Sequence, residues 1–342
     1  MLNYINIKNM FVDKNIILNN FKQLIKQIKI DIDSSSSKER IKHIYRLKSI
    51  TTATKIIEKY PGDNINLDKL NDMKGIGEGT INRIKEIQKT GKLSEIKLTS
   101  IDENFLRIMD ELEETYGVGK KTAYKMFKKY DIKSIDELKQ RVQSGEIEVN
   151  DIIKKGLNYV GLINNKIPHE IITDIQNKLL DILFKIDVRL FGVVCGSYRR
   201  EYIYSGDIDL IIVHHDYKKK EQISKYIEYF EKFLLELKRE KILIESLTGE
   251  NVLTKYMGIF KWGKIIGRID IRFIPIESYY YATLYFTGSK DLNTNMRLIA
   301  ISRNYKLNEY GLYDENNKKF EVTSEKEIFE LLDMHYIIPK LR

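Results

Sequence analysis

The spacing of apolar and polar residues changes about halfway along the chain. In the first half apolar residues recur three or four positions apart, the spacing of one face of an α-helix, as in Phe21, Leu24, Ile25 and Ile28. From about residue 187 the pattern predicts β-strands at 190–195, 208–213 and 265–276. Helical patterns return at 221–239 and 326–332. We therefore expect an all-α half followed by an α+β unit.

The helical half contains an internal repeat. Gly75-Ile76-Gly77 precedes a helical pattern at Thr80-Ile81, and Gly117-Val118-Gly119 precedes one at Thr122-Ala123, at the same offset. Glycines permit a tight turn, and the N–H groups at the start of the following helix can face a phosphate oxygen. A single such turn is usually only a helix end. Two copies in matching context predict helix-hairpin-helix motifs that bind the DNA backbone without sequence preference.

Two segments of the second half carry closely spaced carboxylates. Asp207 and Asp209 stand two residues apart in a strand pattern, so both face one side while the intervening isoleucines face the core. Arg268-Ile269-Asp270-Ile271-Arg272 repeats this alternation. If the two strands are neighbours, three carboxylates converge and repel one another unless cations lie between them. Mg²⁺ is the natural partner of such oxygen ligands.

The bare Asp-x-Asp pair has other interpretations, namely an exposed strand face, a turn, or a glycosyltransferase metal site. The residues around the pair favour one interpretation over these alternatives. An apolar strand pattern ends upstream at Gly196-Ser197, and basic residues follow, including Arg200. A Gly-Ser turn offers backbone N–H groups and a hydroxyl to an anion, and an arginine adds a forked charge. Gly-Ser followed closely by Gly-Asp-x-Asp is typical of the nucleotidyltransferase fold.

Composition adds limits to this interpretation. Lys and Arg number 58 against 49 Asp and Glu, giving +9 and a pI near 9.1, a balance that favours approach to phosphate backbones. The single cysteine, Cys195, excludes an intrachain disulfide. No apolar stretch is long enough to span a membrane. We expect a soluble, intracellular protein, and we interpret the aromatic run 279–281 as strand packing.

A series of motifs resembles the X family of DNA polymerases, to which DNA polymerase beta belongs. The similarity runs in order from about residue 40 to the end. In the second half it rests on GSYRR (196–200), SGDID (205–209), RIDIR (268–272), LYFTGS (284–289), NTNMR (293–297), NEY (308–310) and SEKEIF (324–329). Two further motifs, KYP (59–61) and TGKL (90–93), extend it into the first half.

The resemblance implies a function for each matching position. Asp207, Asp209 and Asp270 would hold two Mg²⁺ ions, with Mn²⁺ as a possible substitute, for dNTP addition to a primer 3′-hydroxyl. The remaining dNTP contacts would come from Ser197, Arg200, Ser205, Gly206 and Lys166 at the phosphates, Tyr285, Phe286 and Gly288 at the sugar, and Asn293 at the base. Gapped or primed duplex DNA would contact Arg268, Arg297 and the hairpin glycines Gly75, Gly77, Gly117 and Gly119, where a Na⁺ or K⁺ ion could assist.

The resemblance also implies departures from the family. Lys166 matches a family arginine, so the charge persists but the fork is lost. Lys290 stands where DNA polymerase beta has an acid. Arg83 occupies the position of the lysine that removes 5′-deoxyribose phosphate, and a guanidinium cannot act as that amine. The supporting lysines are replaced by Arg46, Gly79 and Glu95. We therefore expect weak or absent lyase activity.

Four regions are expected. They are an N-terminal helical, lyase-like domain at 1–98, a helical DNA-binding subdomain at 99–161, a catalytic palm at 162–275 and a small C-terminal α+β subdomain for the nascent base pair at 276–342. A monomer that fills short gaps in base excision repair is the favoured function. A terminal transferase, an RNA-tailing enzyme and a non-catalytic scaffold are alternatives. The short loop between Ile259 and Ile265 disfavours the first, and the three aspartates disfavour the last.

Overall fold

The computed structural model describes residues 11–34, 37–97, 100–248 and 253–342. The chain divides into two compact units. One comprises Met1–Leu112 and Lys120–Ser134, and the other comprises Glu113–Gly119 and Ile135–Arg342. The expected division into four regions stays a prediction.

The described residues up to 130 are mainly helical. They are α1 (Lys14–Ser34), α2 (Ser37–Lys59), α3 (Leu67–Asn71), α4 (Glu78–Thr90), α5 (Ser100–Glu113) and α6 (Lys120–Tyr130). Two short strands, β1 (Phe11–Asp13) and β2 (Asn64–Asn66), pair antiparallel. Phe21, Leu24 and Ile28 are fully buried in one core with residues of α2 and α4, because their helical spacing places them on one face of α1.

Both glycine turns join two helices, as the repeat predicts. The first lies between α3 and α4 and the second between α5 and α6. Gly75 and Gly117 adopt φ values of +99° and +89°, which residues with a side chain rarely adopt. The second glycines of the two turns, Gly77 and Gly119, lack positive φ, and a Cβ added at either would have no atom of the described structure within 4 Å. That side of each turn is therefore open.

The second unit holds the remaining elements. Its helices are α7 (Ile135–Gln143), α8 (Asp151–Tyr159), α9 (His169–Ile186), α10 (Gly196–Arg199), α11 (Ile223–Arg239), α12 (Tyr279–Thr287), α13 (Lys290–Ser302) and α14 (Glu325–Leu331). Its strands are β3 (Ile167–Pro168), β4 (Leu190–Val194), β5 (Tyr204–Ser205), β6 (Asp207–His214), β7 (Leu243–Ser246), β8 (Lys255–Trp262), β9 (Ile265–Phe273), β10 (Lys306–Asn308) and β11 (Gly311–Tyr313). The predicted fold class, a helical half followed by an α+β half, is confirmed.

A five-stranded sheet in the order β4-β6-β9-β8-β7 forms the centre of this unit. β6 and β9 run parallel, and β4, β8 and β7 pair antiparallel to their neighbours. Buried residues of α9 and α11 pack on one face in a single core with alternate apolar residues of β6 and β9, namely Ile208, Leu210, Ile212, Ile269, Ile271 and Phe273. Because side chains alternate along a strand, the polar residues of β6 and β9 lie on the opposite face.

Two expectations about this region were wrong. The aromatic run 279–281 opens helix α12 instead of a strand, because these residues pack on two different cores around a helix. The strand predicted to reach residue 276 ends at Phe273, before Pro275 and a short 3₁₀ turn. The β8–β9 connection is short as expected, since Trp262 and Ile265 are already paired. In the described part of the chain, no helix has the length and apolarity needed to cross a membrane.

Candidate active site

The three aspartates share one face of the central sheet. In the parallel pairing of β6 with β9, Asp209 lies opposite Asp270, and Asp207 lies opposite Arg268. Ile208 and Ile269, the neighbours along each strand, are fully buried on the other face. The alternation in the sequence therefore places the carboxylates together, and the parallel register sets which of them are adjacent.

Burial and mutual repulsion both disfavour the charged forms of these carboxylates. Burial raises the pKa of Asp209 to about 7, and the charges of Asp207 and Asp270 add to the rise. Burial also raises the pKa of Asp270, and the charge of Asp207 acts in the same direction. In both carboxyl groups the raised pKa means that the charged form is disfavoured relative to a carboxylate in water, and approaching positive charge would favour it again. A hard cation with oxygen ligands matches this donor set.

Asp207 already has a cationic partner. The Arg268 guanidinium contacts its carboxylate at 2.5 Å, and Arg268 also lies over the Tyr116 ring, 5.8 Å from the centroid. Across the described ranges, no three His, Cys, Asp or Glu side chains are grouped tightly enough to form a ready-made metal cage. The aspartates thus supply suitable ligands, and Arg268 competes with a cation for Asp207.

The Gly196–Ser197 turn lies directly against Asp209. Gly196 has φ +58°, and a Cβ placed on it would lie 2.4 Å from Asp209 Oδ2. Next to it, the Cys195 N–H donates to the Asp209 carbonyl oxygen at 2.7 Å. Only glycine fits here, because any side chain would collide with the carboxylate. The turn is consequently in direct contact with Asp209.

Several polar groups beside this turn lack protein partners. Ser205 is 2% exposed, and neither its Oγ nor Arg200 Nε has a hydrogen-bond partner among the described residues. Arg200 Nη1 donates to the Thr287 carbonyl, and the guanidinium lies 4.9 Å from the Tyr202 ring centroid. Buried donors without partners are costly and are usual where a ligand completes the network.

The expected phosphate contacts are brought to the same edge. β3 pairs with β5, with Ile167 opposite Ser205. Exposed Lys166 precedes that pair directly, and Gly206 links β5 to β6. A lysine, a serine and the strand that carries Asp207 and Asp209 therefore lie at neighbouring positions, although about 40 residues separate the lysine from the serine in the sequence.

The expected sugar and base contacts form a second group on α12 and α13. Asn293 Nδ2 donates to the Tyr285 carbonyl at 2.7 Å, and the Arg297 guanidinium lies 4.8 Å from the Tyr285 ring centroid. The rings of Tyr285 and Phe286 meet edge to face at 5.0 Å. A Cβ on Gly288, which has φ +70°, would lie 3.4 Å from Arg200 Nη1. Arg200 consequently connects the Gly196–Ser197 turn with this group.

One bridging residue was not among the predicted contacts. Arg272, at the end of the RIDIR motif, lies 5.4 Å from the Phe286 ring centroid, and its charge lowers the pKa of Asp270 against the effect of burial. Its Nε is buried without a hydrogen-bond partner in the described structure. The alternation of charged residues in that motif already placed Arg272 on the aspartate face, so the signal was present.

A buried ion-pair network was also missed. Both Arg199 and Arg342 donate to the buried Glu325 carboxylate, at 2.9–3.0 Å and 3.1–3.3 Å. Arg199 Nη1 also donates to Thr287 Oγ1 at 2.7 Å. These contacts hold α10, which carries the Gly196–Ser197 turn, against α12 and α14. Arg199 and Glu325 lie 126 residues apart, so no local pattern could reveal the pair.

The residues expected at the lyase positions are in contact with one another in the first unit. Both Arg83 Nε and Arg46 Nη2 donate to the Glu95 carboxylate, the latter at 2.5 Å. Arg83 Nη1 donates to the Gly79 carbonyl at 3.0 Å. Burial by itself would raise the pKa of Glu95, but the two arginines outweigh it and lower the pKa. Arg83 is therefore bound within an ion-pair network.

Comparison with known proteins agrees with this geometry. Residues 166–276 match the family model "DNA polymerase beta palm", and residues 282–342 match "DNA polymerase beta thumb". The chain is 27% identical over 308 residues to DNA polymerase lambda of Arabidopsis thaliana, covering 85% of this chain and 56% of that protein. It is 26% identical over 285 residues to DNA polymerase lambda of Rattus norvegicus, covering 78% and 47%.

The chain spans about half the length of these curated relatives. The two family models adjoin one another and together match about half of the chain, including all three aspartates and the Gly-Ser turn. By these matches, the chain belongs to the X family of DNA polymerases.

Proposed function

We propose that this protein is a template-directed DNA polymerase that adds dNTPs to a primer 3′-hydroxyl at short gaps in duplex DNA, as in base excision repair. One observation carries the proposal. The parallel pairing of β6 with β9 brings three carboxylates to one face, and one of them, Asp209, lies directly against the Gly196–Ser197 turn. A cluster of like charges beside unpartnered donors suits a metal-bound triphosphate.

Asp207, Asp209 and Asp270 would hold two Mg²⁺ ions, or Mn²⁺ in their place. Bound divalent ions would lower the pKa of the attacking hydroxyl and neutralise the leaving pyrophosphate. The raised pKa of Asp209, about 7, supports this role, since a divalent ion would restore its charged form. Release of Asp207 from Arg268 would free that guanidinium for the DNA backbone.

The other side chains would bind and orient the nucleotide. The unpartnered groups of Ser205 and Arg200, with Ser197, Gly206 and Lys166, would hold its phosphates. On the other side, Tyr285, Phe286 and Gly288 would line the sugar pocket. Asn293 would contact the base edge, and Arg297 the template strand. Asn293 contacts the Tyr285 carbonyl and Arg297 contacts the Tyr285 ring, so Tyr285 holds both side chains in this group.

Binding of gapped duplex DNA would rest on the two glycine turns. Gly77 and Gly119 leave an open approach to the backbone N–H groups that begin α4 and α6. A phosphate could approach closely there, and a Na⁺ or K⁺ ion could bridge the turn carbonyls to it. The chain's net charge of +9 favours such binding. We expect it to act as a monomer.

The test is nucleotide insertion on a duplex with a one-nucleotide gap. We expect correct dNTP insertion opposite each of the four template bases, with Mg²⁺ required. Ribonucleotides should be inserted much less efficiently, because close backbone approach at Gly288 leaves little room for a 2′-hydroxyl. A single-stranded primer is the untemplated control. Extension of that primer at a comparable rate would identify a terminal transferase instead, and no insertion on any substrate would contradict the proposal.

A further inference from the structure

A second concave region of the same unit lies outside the candidate active site. It is a cavity of about 800 Å³ between the segment that follows β6, the start of α12 and the β10–β11 hairpin. Its lining contains none of the three aspartates, neither residue of the Gly196–Ser197 turn and none of the three residues proposed to line the sugar pocket. Its size is within the range of small-molecule sites.

The cavity walls carry excess positive charge. Five lysines line it, against three glutamates: Lys218, Lys219, Lys220, Lys306 and Lys319. Of these, Lys319 is half-buried, and its Nζ donates to the Glu277 carbonyl at 2.9 Å and to Ser278 Oγ at 3.2 Å. Burial lowers the pKa of Lys319. An ammonium held in a partly desolvated wall favours an anionic ligand.

The same walls also offer planar apolar surface. Tyr310 and Tyr313 line the cavity together with Pro275 and Val322. Lys220 Nζ lies 4.8 Å from the Tyr310 ring centroid, so a cation and a ring face are adjacent. Aromatic faces beside cations are the groups on which nucleobases stack while their phosphates are neutralised.

A buried hydroxyl behind the wall lacks a partner. Tyr217 is fully buried, and its Oη makes no hydrogen bond within the described residues. Burial raises the pKa of Tyr217 to about 12, and the charges of Tyr310 and Glu221, both lining residues, add to the rise. Tyr217 also directly precedes the lining residue Lys218 in the chain. A ligand group or a water at that wall could satisfy the Tyr217 hydroxyl.

We propose that this cavity is a second nucleotide-binding site, with lysines holding the phosphates and Tyr310 contacting the base. A lone phosphate would leave most of the volume and both tyrosine rings unused. An apolar ligand would leave the five lysines unpaired. Nucleotide chemistry can reach the cavity from two sources, a free nucleotide or one unit of a single strand, and the proposal covers both.

The first experiment measures ATP binding by calorimetry in the presence of EDTA, so that metal-dependent binding at the aspartates is suppressed. The test variant is Lys218→Ala/Lys219→Ala/Lys220→Ala, three exposed lining residues. The control variant is Lys185→Ala/Lys238→Ala/Lys264→Ala, three exposed lysines of the same unit outside the cavity. We expect binding about tenfold weaker in the first variant and nearly unchanged in the second.

Equal loss in both variants would overturn the proposal, because it would show a general effect of charge. The proposal would also be overturned if Arg200→Ala abolished ATP binding and the triple lysine variant did not, because that result would place the binding at the Gly196–Ser197 turn. Lys306→Glu is a second variant with an exposed side chain and should weaken binding in the same way. Asp209→Asn should still bind ATP in EDTA, because Asp209 lies outside the cavity. ATP binding at the cavity can therefore be tested independently of polymerase activity.

The second experiment compares ATP with pyrophosphate and a short oligothymidylate under the same conditions. Pyrophosphate should bind more weakly than ATP, because it cannot contact Tyr310, and equal affinity would overturn the assignment of a base contact. Tighter, lysine-dependent binding of the oligothymidylate would identify a strand as the source. Tighter binding of ATP would identify a free nucleotide.

Discussion

Two charged clusters of this protein have opposite designs. In the first unit, Glu95 lies between Arg83 and Arg46, and the opposite charges lower its pKa although burial acts the other way. On the central sheet, Asp209 lies beside Asp207 and Asp270, and burial with like charge raises its pKa to about 7. The carboxylate charge of the first cluster is neutralised by neighbouring arginines, whereas the second cluster keeps an excess of negative charge.

The comparison distinguishes charges that neutralise each other within the fold from charges that need a ligand to neutralise them. A carboxylate that two arginines neutralise stabilises the folded protein and leaves no group free to react. Carboxylates held together against their repulsion destabilise the fold and gain free energy only from a ligand that brings positive charge. Glu95 is thus neutralised by Arg83 and Arg46, while Asp209 and Asp270 lie in surroundings that disfavour their charged forms.

The largest effect is expected for Asp209→Asn. Loss of one carboxylate ligand should reduce single-nucleotide insertion on gapped DNA by about a thousandfold or more, because the metal-dependent chemistry depends on it. Affinity for the gapped duplex, measured by fluorescence anisotropy, should change only a few-fold, since backbone contacts supply most of it.

The matched control is Asp181→Asn, an exposed aspartate of the same unit, which should change neither quantity. Parallel loss of DNA affinity and insertion in a folded Asp209→Asn protein would contradict this separation of roles.

The second prediction concerns the cluster of Arg83, Arg46 and Glu95. Borohydride treatment on an incised abasic-site duplex should trap no adduct with the unaltered protein, because an attacking amine is required and Arg83 cannot supply it. Arg83→Lys alone should give little adduct, since the Glu95 carboxylate would keep the new amine protonated. Arg83→Lys/Glu95→Gln should give about tenfold more.

A strong adduct with the unaltered protein would contradict this prediction. Its disappearance in Lys85→Ala or Lys74→Ala would then identify the substitute nucleophile. No adduct in the double variant would show that neutralising Glu95 is insufficient to activate an amine there.

The third prediction is that neutralising the two clusters changes stability in opposite directions. Asp209 has a folded-state pKa raised from 3.8 to about 7, so its ionisation destabilises the fold increasingly from about pH 4 to pH 7. In EDTA at pH 8, Asp209→Asn should raise the free energy of unfolding by about 1–3 kcal/mol. Urea unfolding followed by the fluorescence of Trp262, the single tryptophan, measures this unit.

Glu95→Gln should instead lower the stability of the first unit by about 1–3 kcal/mol at pH 8, because two arginines lose their partner. The Glu95 pKa is lowered from 4.5, so its stabilisation is present above that pH and disappears as the pH falls through the lower folded value. Circular dichroism of the helices measures this change. The same sign for both variants would contradict the comparison.

The smallest effect is expected at the glycine turns. Gly77→Ala and Gly119→Ala should not alter stability, since a Cβ there meets no atom of the described structure. Each should weaken gapped-DNA binding several-fold and leave a steep salt dependence, if a phosphate approaches that open side. Gly75→Ala and Gly117→Ala differ, because positive φ makes them destabilising. Unchanged DNA affinity in both Gly77→Ala and Gly119→Ala would contradict the hairpin interpretation.

Much of the fold and site could be predicted where the signal is local. The helical face of Phe21, Leu24 and Ile28 and the alternation around Asp207 and Asp209 follow from backbone periodicity, which neighbours in sequence impose. The aromatic run at 279–281 was assigned to a strand because large rings favour both strands and buried helices. Only packing on two cores makes it a helix.

By itself, the sequence determined the periodic elements, the two glycine turns and the identity of the clustered aspartates, because each depends on residues a few positions apart. The tertiary structure decided which charges meet. It set Asp209 opposite Asp270 through the parallel register of β6 and β9, and it joined Arg199 to Glu325 across 126 residues. Electrostatic energy depends on distance in space and on burial, and neither can be obtained from spacing along the chain.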